Sequence, residues 1–223
     1  MNPYDPCVAN KTVDGKVLTI CFHVDDCKIS HKSTGVVDDT IKWLRKDYEV
    51  LFEDGLGAMT VNRGKHHDYL GMQMDFSHDG EVRISMAKYI VDVYETLEKA
   101  QAKIDGGFVT VKTRKSRSQL TAAPENLFVV NEECDKLSES QREVFHSCVA
   151  KVLYFSKRAR GDVLPSISFL TKRVKGPDKD DWAKLTHMVK YLKETVDLPL
   201  ILGADGSDNL YWYADSAFAV HKD

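Results

Sequence analysis

Two adjacent carboxylates, Asp25 and Asp26, follow an apolar run in which Leu18, Ile20, Phe22 and Val24 alternate with Thr19, Cys21 and His23. The period of two predicts a strand with one buried face. Neighbouring residues on a flat strand point to opposite sides, so the two acids can serve one site only where the backbone turns. A tight turn is therefore predicted there, with residues 27–30 returning as the second strand of a hairpin. Carboxylates at such a tip suit Mg²⁺, which takes oxygen ligands and is usually held by one or two carboxylates together with substrate phosphates. An Asp-Asp pair is equally at home in a solvated turn, and the pair alone does not choose.

Other residues with chemical potential are less ordered in their spacing. His66-His67-Asp68 reads as a polar turn with no further metal ligand at a recognised distance. The densest basic cluster is Lys112, Arg114, Lys115 and Arg117, in a segment that is either a solvated linker or a tether for phosphates. Lys157, Arg158 and Arg160 fall at or beyond the last turn of a helix, where cations favour the dipole and could also meet phosphate. The five cysteines, Cys7, Cys21, Cys27, Cys134 and Cys148, show no C-x-x-C spacing, and free thiols in a reducing compartment are the simplest account.

The elements that must position these residues follow from periodicity. Residues 7–12 read as a strand that Asp14-Gly15 folds back on the next, making a three-stranded meander with the acidic hairpin. Residues 36–48 are helical, with Val37, Ile41, Leu44 and Tyr48 on one face. Short strands are predicted at 49–52 and 58–62, then at 69–76 and 81–86 about the Asp79-Gly80 turn. Ser85 can cap a helix whose apolar stripe is Ile90, Val93, Tyr94 and Leu97. Periodicity fades over 102–136. Ser138 and Gln141 fit a capping box opening a helix with Phe145, Val149, Val152 and Leu153 inward. Helices follow at 166–174, stopped by Gly176-Pro177, and at 180–195, then two strands at 198–202 and 209–214.

At 223 residues with 43% hydrophobic content, the chain is long enough for one large domain or two small ones. A formal charge of −3 argues against a uniformly basic nucleic-acid binder but leaves local patches open. No basic-then-apolar leader and no run near the ~20 apolar residues of a membrane span is present, so the sequence reads as soluble and intracellular, without a membrane partner.

Taken in order, these pieces resemble the reverse transcriptase of Ty1/copia-type LTR retrotransposons over nearly the whole chain. Asp5-Pro6-Cys7-Val8-Ala9-Asn10-Lys11 is similar to the segment before that family's catalytic hairpin, and His23-Val24-Asp25-Asp26 to its Tyr-Val-Asp-Asp box. Tyr69-Leu70-Gly71-Met72 resembles its Leu-Gly primer-grip strand. Val152-Leu153-Tyr154-Phe155, residues 166–174 and Lys190-Tyr191-Leu192-Lys193-Glu194-Thr195 resemble the helices joining polymerase to RNase H. Tyr213-Ala214-Asp215-Ser216 resembles the opening of RNase H.

The resemblance implies an α+β fold: an incomplete reverse-transcriptase palm of antiparallel hairpins and helices, a helical connection and the first strands of an RNase H-like domain. The implied divisions are 1–101 for later palm and start of thumb, 102–137 for a basic linker, 138–197 for thumb and connection, and 198–223 for truncated RNase H. The implied activity is RNA-directed DNA polymerisation by two-metal nucleotidyl transfer with Mg²⁺ or Mn²⁺. Asp25 and Asp26 would be catalytic metal ligands, Asp215 an RNase H ligand, and His23, Val24, Tyr69, Leu70, Gly71 and Met72 would seat the primer terminus. The basic residues named above would touch the nucleic-acid backbone. The implied partners are RNA template, DNA primer, RNA–DNA hybrid, dNTP and the remainder of a retrotransposon polyprotein, in a cytoplasmic virus-like particle with a nuclear phase also allowed.

Three departures bear on this. The polymerase also needs an aspartate from an upstream strand, and fingers, and neither stands before Met1. The Tyr of the box is His23, a shorter, titratable ring. RNase H is expected to stop after its first carboxylate. The sequence thus reads as a fragment incomplete for catalysis alone. Alternatives are a non-catalytic retroelement remnant that at most binds nucleic acid through basic patches, and an unrelated metal-dependent hydrolase using Asp25 and His67.

Overall fold

The computed structural model describes residues 2–49, 57–104, 121–207, 209, 211 and 214. It is a mixed α+β chain in two compact units, Met1–Gly71 and Met72–Asp223. Those units differ from the divisions read in the sequence: residues 72–101 belong with the later helices, not with the acidic hairpin.

In the first unit β1 (Val8–Val13), β2 (Lys16–His23) and β3 (Asp26–Ser30) form an antiparallel meander. Asp14 and Gly15 join β1 to β2 with φ of 50° and 71°, as a two-residue type I′ hairpin requires. The register sets Ile20 against Ile29 and Phe22 against Cys27 across β2 and β3. α1 (Thr34–Tyr48) follows, with Arg45 and Lys46 in its last turn. β4 (His66–Tyr69) ends the unit. Among the described residues of this unit only Leu18 is buried, at 8% exposure.

The second unit holds the core. β5 (Met72–Asp75), β6 (Glu81–Ser85) and β7 (Leu200–Gly203) are antiparallel neighbours in that order, with Ile84 opposite Leu200. α2 (Ala87–Ile104), α3 (Glu139–Ser156), α4 (Leu164–Arg173) and α5 (Lys179–Glu194) pack with them around Ile90, Val93, Phe145, Val152, Phe155, Ile167, Leu170, Leu185 and Met188. Ser85 Oγ accepts from the Ala87 amide at 3.3 Å, opening α2. The capping box of Ser138 and Gln141 is formed at the start of α3.

Several local expectations are corrected. His66, His67 and Asp68 lie in β4, not in a turn. The strand expected over 69–76 is broken because Leu70 and Gly71 take φ of 51° and 76°, turning the chain sharply between β4 and β5. Residues 58–62 form no strand. Residues 50–52 of the expected strand at 49–52, and residues 210, 212 and 213 of that at 209–214, lie outside the described residues. Asp178, which the sequence reading passed over, caps α5 through a second capping box with Asp181.

Candidate functional site

β2 and β3 are joined by two residues, Val24 and Asp25, and His23 is the direct cross-strand partner of Asp26. Both carboxylates are exposed. The turn resolves the problem posed by adjacency: Asp25 sits at the tip, and Asp26 opens the returning strand on the same face as His23. Side chains in such a pair stand about 4.5–5.5 Å apart at Cβ.

Val24 has φ of 55° and is 91% exposed. Positive φ at the first turn residue and not at the second is the φ pattern of a type II′ turn, where glycine is the unstrained choice. For a β-branched residue this backbone is an outlier that costs about 1–3 kcal/mol, and such strain persists mainly at sites where geometry matters more than stability. Nothing in the sequence reading located this strain. The signal available was an apolar β-branched residue in a two-residue turn, ahead of two acids.

Upstream, Asp5 Oδ1 accepts from the Cys7 amide at 2.8 Å, and the Phe22 amide donates to Cys7 O at 2.9 Å. This anchors the Asp5-Pro6-Cys7 segment beside the end of β2. Tyr69 also belongs to the hairpin's surroundings. Its phenol is held above the ordinary value by burial first, then by nearby Cys21, Cys27, Asp26 and Cys7. The Cys27 thiol is likewise raised by burial and by the Asp26 charge. Leu70 and Gly71 form the sharp turn after Tyr69, and Met72 opens the second unit. His67 Nε2 meets Gly64 O at 2.9 Å.

Two hard carboxylates fit Mg²⁺ or Mn²⁺ as a partial donor set, since such ions are commonly completed by substrate phosphates. Among the described residues no group of three His, Cys, Asp or Glu side chains is gathered as a metal site. Asp215 lies outside the described residues.

The basic residues divide. Lys157 is exposed at the end of α3. Arg158 Nη1 donates to Tyr154 O at 2.8 Å and its guanidinium lies 3.8 Å from the Tyr154 ring centroid. Arg160 cannot serve as a surface cation, because it is 2% exposed. Its guanidinium is bidentate to Asp162 at 2.9 and 2.8 Å and reaches Thr195 O and Oγ1 at 2.9 and 2.7 Å. Tyr191 Oη donates to Asp162 at 2.7 Å, closing a clamp between the ends of α3 and α5. Lys112, Arg114, Lys115 and Arg117 lie outside the described residues.

All five cysteines are free thiols. No helix among the described residues is long and apolar enough to cross a membrane. No protein-family model, curated protein or solved structure matches the chain. The residues themselves therefore carry the functional reading.

Proposed function

We propose that this chain is a fragment of a Ty1/copia-type reverse transcriptase, spanning later palm, thumb, connection and the opening of RNase H. The observation that carries the reading is the strained two-residue hairpin: Val24 in a left-handed backbone, Asp25 at the tip and Asp26 opposite His23. Asp25, with Asp26 beside it, would hold Mg²⁺ or Mn²⁺ against the phosphates of a dNTP. When bound, the ions supply activation of a primer 3′-hydroxyl and neutralisation of triphosphate charge. The flat ring of His23 and the exposed side chain of Val24 would bear on the primer terminus. Tyr69 borders the hairpin, and the turn at Leu70-Gly71 ahead of Met72 would align the primer strand. Lys157, together with the basic cluster Lys112, Arg114, Lys115 and Arg117, would contact the backbone of an RNA–DNA hybrid without reading sequence.

The test is primer extension by the full chain on a primed RNA template with dNTPs and either cation. Extension that disappears on Asp25→Asn supports the polymerase reading. A second reading is a non-catalytic remnant that only binds nucleic acid, through exposed Lys157 at the end of α3 and the basic cluster at 112–117. Salt-dependent binding to RNA–DNA hybrid without extension would select it.

A further inference from the structure

Where the first turn of α2 lies beside the last turn of α3, three half-buried side chains are stacked on one another. Tyr89 of α2 and Tyr154 of α3 meet with ring centroids 5.5 Å apart and planes inclined by 31°. The guanidinium of Arg158, just beyond α3, lies over the Tyr154 ring at 3.8 Å from its centroid, and Nη1 donates to Tyr154 O at 2.8 Å. One turn further into both helices, Lys151 is paired with Asp92 at 2.6 Å and pins the same seam.

The cations at the end of this stack are not neutralised as their neighbours are. Arg160 is paired with Asp162, Lys151 with Asp92, and Arg173 with Asp178 and Asp181. Neither Lys157 nor Arg158 meets a carboxylate among the described residues, and Lys157 is exposed. A guanidinium already held on a tyrosine by a main-chain carbonyl loses little further freedom when another flat group stacks on it. The unpaired charge and the ring faces thus call for a partner that is both anionic and flat. An acidic peptide offers the anion without an obligatory ring, and a duplex keeps its base faces in its own stack. An unpaired nucleotide offers both, and proteins that hold single strands combine aromatic ledges with cations in this way.

We propose that Tyr89, Tyr154 and Arg158 form a stacking ledge for an unpaired nucleobase of a single strand, with Lys157 on the adjoining phosphate. RNA and DNA serve alike, since stacking does not read the sugar. The inference rests on the nucleic-acid part of the reading above and deepens it from backbone contact to base contact. It uses no residue of the acidic hairpin.

Fluorescence anisotropy of the full chain with a labelled single strand of about twelve deoxyadenylates tests it. An abasic strand of the same length should bind wild type about tenfold more weakly at the same salt, because the phosphates remain and the ring faces do not. Arg158→Lys keeps the charge and removes the plane, so it should weaken binding of the normal strand and abolish most of the abasic penalty. Tyr89→Leu, which keeps apolar packing, should do the same. No binding, equal binding of the normal and abasic strands, or an abasic penalty unchanged in both variants would overturn the ledge. Binding that meets these criteria without primer extension would count against the polymerase reading alone, whereas extension by a chain with no abasic penalty would count against the ledge alone.

Discussion

Replacing Arg160 with methionine would strand Asp162 and the Thr195 carbonyl in a site where the arginine is only 2% exposed. Breaking one side of a buried pair is costly, and because the Asp162 side chain is 31% exposed the loss should lie near the low end, about 3 kcal/mol. Chemical denaturation of the full chain measures it. Burial pushes Asp162 up, but hydrogen bonds from Arg160 and Tyr191 outweigh that and hold it below its ordinary 3.8. The stability it supplies is therefore complete above 3.8 and is lost as pH falls through the depressed value. A denaturation midpoint followed from about pH 5 to about pH 2 should decline, and Asp162→Asn should flatten that part of the curve. At the hairpin, Val24→Gly removes the left-handed strain at the cost of a more flexible unfolded chain, for a net gain of about 1 kcal/mol. Reduced proteolysis of the first unit would report the gain, while reduced primer extension would show that the strain serves the site. Cys148 is buried and its thiol is pushed up to about 11, so alkylation near neutral pH should label exposed Cys7 and Cys27 and spare Cys148 until denaturant is added.

The two capping boxes differ in setting, and the difference should be measurable. Ser138 is exposed, and Ser138→Ala should cost about 1 kcal/mol. Asp178 is 1% exposed, accepts from the amides of Asp180 and Asp181 at 3.1 and 2.9 Å, and pairs with Arg173 at 3.1 Å. Asp178→Ala should therefore cost about 3 kcal/mol by thermal or chemical melting, since it also leaves Arg173 with less than its full set of partners. Elements whose information is local were legible in the sequence. The Asp14-Gly15 hairpin, the acidic hairpin, the Ser138 box and the stripe of Ile90, Val93 and Leu97 all rest on spacing within one turn or one strand pair. What was not legible depends on distant partners. The fate of Arg160 is decided by Thr195, 35 residues away, and that of Lys184 by Val129, 55 residues away. Leu70 reads as a strand residue by composition, whereas Leu70 and Gly71 are the two positive-φ residues that turn the chain between β4 and β5.

At the scale of the molecule the two units are unequal. The second has a continuous core from Ile84 to Leu192, and no buried side-chain nitrogen or oxygen among the described residues lacks a partner. The first has the candidate chemistry but, among its described residues, only Leu18 inside. Apolar burial of about 25 cal/mol per Å² is what offsets chain entropy, so the first unit has little of its own to resist opening. Native-state hydrogen exchange should show β1–β3 and α1 opening far more readily than α3–α5, with the change falling at residues 71 and 72. Uniform protection across that boundary would show that something else covers the meander.

The sheet of the second unit has a consequence for how the protein comes into being. Ile84 of β6 is paired with Leu200 of β7, so that edge of β6 stays open until the ribosome has reached residues 200–203. At ordinary elongation rates β6 waits roughly 6–23 s for its neighbour. During that interval its free edge can recruit whatever strand is at hand, and chaperone dependence during synthesis should be governed by this one late pairing.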